Sequence, residues 1–334
     1  MSAGSRTTDC LNADWRPGAN RAALVARAQA LAGLRDYFAR AGVLEVETPL
    51  ACRTVGTDPQ LTPMQARYTG PGAPQGLTLY LQTSPEFAMK RLLAAGSGPI
   101  YQICKAFRDG EAGRLHNPEF SLLEWYRPGF DLTQLLDEVA QVLRIGLDQP
   151  DLSVKISRYA DLFSERFAVD VFSTTPARLR AVAVDHNVIG ADTLDLDCDG
   201  WLDLLLSHLI QPRLGSDALH FVTDYPATQA ALARMNPDGQ TAARFEAFYR
   251  GIELANGYFE LVDADEQAGR FEADNCLRRR RGLAPIQADR RLLSALENGV
   301  PDCAGVAVGL DRVLMLRLQQ NSLDVVLSFS FERC

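Results

Sequence analysis

The sequence lacks any run of 18 or more apolar residues, although hydrophobic residues make up 47% of its 334 positions. No segment is therefore predicted to span a membrane. Residues 1–14 are polar and do not contain the apolar stretch of a secretory signal. Histidine is scarce, with four in the chain, and the seven cysteines are scattered without CxxC spacing. A disulfide framework and a zinc site are both unexpected, and the pattern is typical of a protein of the reducing cytoplasm.

Positive charge is also in deficit. The chain has 34 lysines and arginines against 42 acidic residues, which gives a formal net charge of −8. Proteins that bind nucleic acid by neutralising phosphates usually present a basic face. The acidic balance lowers the expectation of such a function, although it is compatible with a local basic patch. The length suits one large catalytic domain or two smaller ones.

Hydrophobic periodicity predicts an α+β fold with a mostly antiparallel sheet flanked by helices. A helix over residues 20–41 leads into a strand over 43–48 that Pro49 ends. Ser84 and Pro85 are predicted as the N-cap and the first position of a helix that continues to residue 95. The remaining predicted elements are strands at 77–82, 100–107, 120–126, 219–224, 245–254 and 306–310, a helix at 263–281 and a mostly helical segment at 133–211.

Three segments combine charged residues and glycines in an unusual way. Residues 107–120 place two arginines and a histidine in a loop between apolar strands, residues 246–260 carry three glutamates on a predicted buried strand, and residues 305–312 end in an arginine where a strand enters a helix. Each has an ordinary alternative: a solvated hairpin, acids paired with Arg244 and Arg250, or glycines that serve close packing. Together, arginines and buried acids suit a polyphosphate bound with Mg²⁺, although no GxxxxGK[ST] P-loop is present.

These segments resemble motifs 2 and 3 of the class II aminoacyl-tRNA synthetases, and residues 33–49 resemble motif 1. Within that class, TSPE at 83–86, HNPEF at 116–120 and ELANG at 253–257 resemble the lysyl-tRNA synthetases. The chain is most similar to a truncated branch, the elongation factor P–(R)-β-lysine ligases, from about residue 20 to 330. VLEVETP, LEWYRP and GIELANG are the segments specific to that family.

The resemblance implies an ATP site with Arg108 and Arg312 as catalytic residues. Arg108 would hold the α-phosphate, where charge builds as a carboxylate attacks. Arg114, His116 and Arg312 would hold the γ-phosphate end, and Phe120 would stack on adenine with Arg312 over its other face. The other implied ATP contacts are Asp109, Gly110, Glu111, Asn117, Glu253, Leu254 and Gly309.

The resemblance also implies Mg²⁺ bound to Glu246 and Glu253 together with the phosphates. Their odd spacing of seven would place them on opposite faces of a regular strand, so an irregularity is expected near Gly251. A lysine-type amino acid carries two ammonium groups, which need several buried acceptors. The implied amino-acid pocket consists of Ser84, Pro85, Glu86, Glu124, Tyr126, Asn256, Glu260 and Ala307. Tyr126 as a core aromatic and Glu86 as an ordinary helix residue are the alternatives.

Two positions differ between this chain and the patterns it resembles. Motif 2 usually reads Phe-Arg-x-Glu, but Gly110 stands where that nucleotide-contacting glutamate is expected, and Glu111 is next along. Either Glu111 substitutes for it or ATP binding is weaker. Ala307 stands where lysyl-tRNA synthetases usually carry glycine, and alanine is usual in the β-lysine ligases. Its methyl group is expected to reshape the floor of the pocket.

The sequence therefore predicts a cytoplasmic, homodimeric ligase. It would form (R)-β-lysyl-adenylate from ATP and (R)-β-lysine, and transfer the β-lysyl group to a lysine of elongation factor P. Residues 1–19 would form a flexible extension and residues 20–334 one catalytic domain, leaving no room for the anticodon-reading OB-fold, so tRNA is not expected as a partner. The alternatives are a minimal lysyl-tRNA synthetase, a ligase with a small-molecule acceptor, and a catalytically weak regulatory paralogue.

Overall fold

The computed structural model describes residues 15–334. Residues 1–14, which make up most of the predicted flexible extension, lie outside the described part of the chain. The backbone N–H groups of Gly18 and Ala19 donate to the carbonyls of Ser328 and Leu327, each at 2.9 Å. The start of the described chain is therefore paired with its C-terminal segment.

The helices begin where side-chain chemistry favours a start. Over residues 15–334 they are α1 (Arg21–Arg40), α2 (Glu86–Ala94), α3 (Leu132–Leu147), α4 (Tyr159–Phe167), α5 (Pro176–Asp185), α6 (Cys198–Leu205), α7 (Ala264–Arg280), α8 (Arg290–Gly299) and α9 (Leu310–Arg317). Asn20 and Asp263 accept backbone N–H groups at the starts of α1 and α7, and Asp131 forms a capping box at α3. None of the described helices combines the length and apolarity needed to cross a bilayer.

An eight-stranded sheet forms the centre of the fold. The described strands are β1 (Leu44–Glu45), β2 (Ala51–Cys52), β3 (Gln65–Tyr68), β4 (Leu77–Leu81), β5 (Ile100–Phe107), β6 (Glu119–Pro128), β7 (Val154–Arg158), β8 (Leu219–Pro226), β9 (Thr241–Tyr249), β10 (Ile252–Phe259) and β11 (Cys303–Gly309). The large sheet has the order β1-β5-β6-β11-β10-β9-β8-β7, and β2-β4-β3 form a smaller one. Only the outer pairs β1/β5 and β7/β8 of the large sheet are parallel. The predicted α+β fold with a mostly antiparallel sheet is confirmed.

The two faces of the large sheet differ because side chains alternate along each strand. On β6, Leu123 and Trp125 enter a core that α1, α3 and α9 cover, while Glu124 and Tyr126 lie on the opposite face. That opposite face is covered by two further hydrophobic clusters, one involving α4–α6 beside β8 and the other involving α2, α7 and α8. The central strands between these two clusters carry the polar side chains of the candidate site.

Several predicted boundaries are wrong. The strand predicted at 43–48 is shorter in the structure, where β1 covers only Leu44–Glu45 and pairs with two residues of β5. The strand predicted at 245–254 is in fact parts of β9 and β10, which meet at a turn where Arg250 and Gly251 have φ values of 50° and 72°. The apolar run continues through both strands, so periodicity did not reveal the reversal. The segment 133–211 is mostly helical as predicted, but β7 interrupts it.

Candidate active site

The central strands bring predicted pocket residues together on one face of the sheet. Ala307 on β11 lies opposite Glu124 of β6 on one side and Asn256 of β10 on the other. Gly305, two residues earlier on the same face, lies between Tyr126 and Tyr258. A side chain on Gly305 would collide with the Tyr126 ring and the Glu260 carboxylate, so this glycine serves close packing within the pocket. Ala307 therefore lies between Glu124 and Asn256 on this face, and its role in the pocket floor stays a prediction.

The irregularity expected near Gly251 is present and has two parts. After the turn, Glu253 lies opposite Phe248 and Asn256 lies opposite Glu246, with a register shift between Glu253 and Ala255. The extra residue, Leu254, forms a β-bulge, and as a result the side chains of Leu254 and Ala255 are both buried in the core. The turn by itself places Glu253 on the face of Glu246, because it pairs Glu253 with Phe248, two residues from Glu246. The bulge comes after Glu253 and places Asn256 on that same face, opposite Glu246.

Both of these carboxylates have an arginine partner. Glu246 accepts from Arg244 at 2.6 Å, which is one of the ordinary alternatives, whereas Glu253 pairs with Arg312 at 3.3 Å and not with Arg250. Burial raises the pKa of Glu246, Arg244 opposes that increase, and the charge of Glu253 adds to it. Within residues 15–334, no cluster of three or more Asp, Glu, His or Cys side chains could hold a metal ion alone. The two carboxylates suit Mg²⁺ only if phosphate oxygens complete its coordination.

Glu124 is the centre of a buried hydrogen-bond group. Its two carboxylate oxygens accept from the Ser84 hydroxyl at 2.7 Å and from the Tyr126 hydroxyl at 2.8 Å. Burial and the nearby charge of Glu86 raise the pKa of Glu124 to about 8, although the two hydrogen bonds oppose the shift. Ser84 Oγ also accepts the backbone N–H of Glu86 at 3.1 Å. Helix α2 begins at Glu86 and Pro85 is its N-cap. The prediction of Ser84 as the N-cap and Pro85 as the first helical residue is therefore wrong by one position.

Lys90 is a pocket residue that sequence reasoning missed. Its ammonium group lies 2.6 Å from carboxylate oxygens of both Glu86 and Glu260, and only 1% of the residue is exposed. Burial alone would lower the pKa of Lys90, but the charges of Glu260 and Glu86 outweigh it and raise the pKa. Burial raises the pKa of Glu260 to about 7 even with Lys90 beside it. The i,i+4 spacing of Glu86 and Lys90 on a predicted helix was the available signal.

Arg312 and Arg108 connect the loop between β5 and β6 to the sheet. Arg312 donates to the Glu253 carbonyl at 3.0 Å, and its other terminal nitrogen lies 2.8 Å from Nε2 of His116. Burial and the Arg312 charge lower the pKa of His116. The Arg108 guanidinium lies 5.0 Å from the centre of the Phe120 ring, and its buried Nε has no hydrogen-bond partner. An unpaired arginine donor beside an aromatic ring fits an anionic, stacking ligand.

A family model described as tRNA synthetases class II (D, K and N) matches residues 11–333. The chain belongs to this family. The antiparallel sheet described above is the fold expected from the resemblance, and the class II synthetase fold is confirmed.

Similar proteins place the chain more narrowly within the class II family. Elongation factor P–(R)-β-lysine ligase of Pectobacterium atrosepticum is 47% identical over 320 residues, which cover 96% of this chain and 98% of that protein. The proteins of the same name from Klebsiella pneumoniae and Yersinia enterocolitica are also 47% identical, over 323 and 322 residues, with the same coverage. The predicted resemblance to this ligase branch is confirmed.

Two predicted ATP contacts in motif 2 of this class II chain are engaged by the C-terminal segment. Arg114 donates to the carbonyl of Asn321 at 3.0 Å. Asn117 accepts from the backbone N–H of Phe331 at 2.9 Å and donates to the carbonyl of Glu119 at 2.6 Å. This bond uses one of the five guanidinium N–H groups of Arg114, so the others could still donate to a phosphate. Both polar ends of Asn117 hold backbone groups, which joins motif 2 to the C-terminal segment.

The motif 2 turn explains how a glycine is accommodated where a glutamate is usual. Gly110 has a φ of 79°, a conformation that side chains disfavour, although the space around it is open. The carboxylate of Glu111 lies 3.7 Å from Arg108 and 4.0 Å from His116. Glu111 therefore occupies the neighbourhood of two predicted phosphate-binding side chains. The backbone N–H of Asp109 is bonded to the Thr62 carbonyl at 2.7 Å.

The two remaining predicted ATP contacts in this class II chain could reach a ligand through their backbones. The Leu254 side chain is buried in the core on the other face of the sheet, so a nucleotide contact at Leu254 would have to be made by its backbone. Gly309 ends β11 and is the N-cap of α9. Asn256 differs from both because its buried side-chain Oδ1 has no hydrogen-bond partner and lies on the pocket face. An unpaired acceptor at this position suits an ammonium donor.

Proposed function

We propose that this chain is an ATP-dependent ligase that modifies elongation factor P. The carboxylate of (R)-β-lysine attacks the α-phosphorus of ATP, forming β-lysyl-adenylate and releasing pyrophosphate. A lysine ε-amine of elongation factor P then attacks the adenylate carbonyl, forming an amide and releasing AMP. The observation that carries this proposal is an acid-rich pocket beside an arginine-rich loop, in a chain about 47% identical to ligases of that name.

Arg108 and Arg312 act as the catalytic residues in this proposal. Negative charge builds on the α-phosphate as the carboxylate attacks. A fixed cation therefore stabilises the transition state more than it stabilises the ground state. The orphan Nε of Arg108 supplies an unused donor for it. Arg312, which already joins motif 2 to Glu253 in motif 3, supports the far end of the polyphosphate with His116. Glu246 and Glu253 bind the Mg²⁺ that accompanies ATP and neutralises its phosphates.

The acid-rich pocket binds the amino acid through its two ammonium groups. Glu86, Glu124 and Glu260 supply carboxylates, and Tyr126 and Asn256 supply further oxygens. The Ala307 methyl group, between Glu124 and Asn256 on the pocket floor, contributes to the choice between α- and β-lysine. One methyl group changes such discrimination by roughly 1–3 kcal/mol, so the preference is graded.

The proposal extends to assembly and partners. Residues 20–334 form the catalytic domain and residues 1–19 an extension, and the protein works in the cytoplasm. Exposed apolar side chains, Leu44 within motif 1 and Leu24 and Val25 earlier on α1, support a homodimer built around that motif. The net charge of −8 supports a protein acceptor over tRNA, since tRNA binding requires neutralised phosphates.

Mass spectrometry of elongation factor P tests the proposal. The acceptor is incubated with this protein, ATP and either (R)-β-lysine or α-lysine, and tRNA with labelled amino acid is offered in parallel. We expect one β-lysyl mass increment on elongation factor P, dependent on ATP and absent with the Arg312→Ala variant. Label entering tRNA as fast as or faster than the protein acceptor would instead support a minimal lysyl-tRNA synthetase.

A further inference from the structure

The buried ion pairs of Lys90 add a cation to a pocket that is proposed to bind cations. Lys90 extends from α2 and lies 2.6 Å from Glu86 on its own helix and 2.6 Å from Glu260, just after β10. The side chains of Lys90 and Glu260 are 2% and 1% exposed, whereas that of Glu86 is 15% exposed. Lys90 approaches one oxygen of each carboxylate, Oε1 of Glu86 and Oε2 of Glu260, which leaves the other oxygen of each for a further partner.

Lys90 and the three pocket carboxylates together determine the net charge of the amino-acid pocket. The carboxylates of Glu86, Glu124 and Glu260 carry three negative charges when ionised, and Lys90 carries one positive charge, which leaves a total of −2. Three buried carboxylates without Lys90 would be strongly disfavoured, because buried charges need partners. A total of −2 matches the two ammonium groups of a lysine-type amino acid.

We infer that Lys90 is a positioning residue that sets the pocket's charge to match a diammonium substrate and fixes the orientation of Glu86 and Glu260. The inference rests on the proposed function, because it concerns the same amino-acid pocket. Lys90 acts through the two carboxylates and does not take part in the chemical steps.

Among the other titratable groups near Lys90 are two arginines, but Arg244 pairs with Glu246 and Arg234 pairs with Asp302. Glu124 and Tyr126 approach from β6, Tyr258 from β10, and Cys303 from the start of β11. Tyr126, Tyr258 and Cys303 have raised pKa values because of burial, so they are neutral near pH 7. Glu124 is the remaining acid already counted. Replacing Lys90 thus changes the charge of the pocket by one unit.

Compensation between two substitutions tests the inference. Glu260→Gln leaves a pocket total of −1, whereas Lys90→Met combined with Glu260→Gln restores −2 and removes both members of a buried pair. We expect the double variant to have a lower KM for the amino acid than Glu260→Gln, on the order of tenfold, in ATP–pyrophosphate exchange. The KM for ATP should be unchanged between the two. Thermal unfolding and circular dichroism verify that the variants are folded.

A structural role for Lys90 predicts the opposite order, because a second substitution in a buried cluster adds damage. A double variant with an amino-acid KM equal to or higher than that of Glu260→Gln overturns the inference. If the Glu260 variants do not fold, Glu86→Gln with and without Lys90→Met repeats the comparison from the other carboxylate. Wild-type exchange with lysine isomers is the separate control, since its absence would contradict the proposed function and not the role of Lys90.

Discussion

Glu124 illustrates how the environment of one side chain connects substrate binding to pH. Burial and the charge of Glu86 raise its pKa to about 8, so it is mostly protonated at pH 7 when no substrate is present. A substrate ammonium group favours the ionised carboxylate, which means that binding releases the proton. The free-energy cost of releasing this proton falls as the pH rises toward the pKa of Glu124 in the free protein. The affinity of the pocket for a diammonium acid should therefore rise with pH.

The first prediction concerns this pH dependence. The KM for the amino acid should fall as pH rises from 6 to 8, by up to about tenfold per unit for each proton released, and then level off. Glu124→Gln should raise the KM and reduce the slope, because the amide has no proton to release on binding. Pyrophosphate exchange at a series of pH values measures both, with the KM for ATP as an internal control. A wild-type KM that is flat over this range would contradict the assignment.

The second prediction concerns Gly110, which stands where motif 2 usually has a glutamate. Glu111→Gln should raise the KM for ATP, because its carboxylate lies close to Arg108 and His116 and helps to orient them. Gly110→Glu should not lower the KM for ATP, since a side chain at a φ of 79° is strained by about 1–2 kcal/mol. Steady-state exchange kinetics with both variants measure the effects. An improved KM in Gly110→Glu would show instead that the missing glutamate limits nucleotide binding.

At the scale of elements, the hairpin of β9 and β10 determines whether two acids can cooperate. Glu246 and Glu253 are seven residues apart, which in a single strand would separate them onto opposite faces. The turn at Arg250 and Gly251 reverses the chain and pairs Glu253 with Phe248, which returns Glu253 to the face of Glu246. The bulge at Leu254 then places Asn256 on that face as well. Sequence reasoning identified the need for an irregularity but treated the segment as one strand. The turn could not be distinguished by hydrophobic pattern, because both strands are buried.

The third prediction follows from this hairpin. Gly251→Ala should destabilise the protein by about 1–2 kcal/mol or more, since φ is 72° and a new Cβ would lie 3.0 Å from the Pro212 backbone. The KM for ATP should rise as Glu253 is displaced. Gly269→Ala is the matched control, because this exposed position in α7 is open and helical, and alanine should stabilise it by about 0.5–1 kcal/mol. Thermal unfolding gives the stabilities; equal effects in both variants would refute this account of the turn.

At the scale of the whole molecule, the large sheet has the main hydrophobic core on one face and the candidate active site on the other. One face and its helices form the main core, while two smaller clusters cover the ends of the other face and leave its centre to charged side chains. Leu44 remains exposed in motif 1, at the β1 edge of this sheet, and Leu24 and Val25 are exposed earlier on α1. Burying them requires a second molecule, which is consistent with the proposed homodimer.

The fourth prediction tests that assembly. Leu44→Asp should shift the protein from dimer to monomer, because Leu44 is 57% exposed and a buried charge would oppose association. Ile189→Asp is the control, since Ile189 is 97% exposed and lies between α5 and α6, far along the chain from motif 1. Sedimentation velocity over a range of concentrations measures the mass. A monomeric wild type, or two variants with the same dimer content, would exclude the motif 1 interface.

The sequence by itself determined the class of fold and the motifs, and it predicted most of the candidate site. Alternation along strands and the spacing of capped helices are local properties, so β5, β6 and α7 could be predicted from periodicity and caps. Motif resemblance assigned Arg108, Glu124 and Arg312, since residue type and spacing are what such resemblance compares. These features depend on near neighbours in the chain.

Only the tertiary structure decided how these charges are paired. Lys90 lies between Glu86 and Glu260, which are 174 positions apart, and Glu253 pairs with Arg312 instead of the nearby Arg250. Such partners depend on strand register across β6, β11 and β10, which a linear pattern does not specify. Burial then sets the pKa of each acid, because the cost of a charge depends on the surrounding dielectric and on every neighbouring charge. The chemistry of the pocket is for that reason a property of the folded sheet.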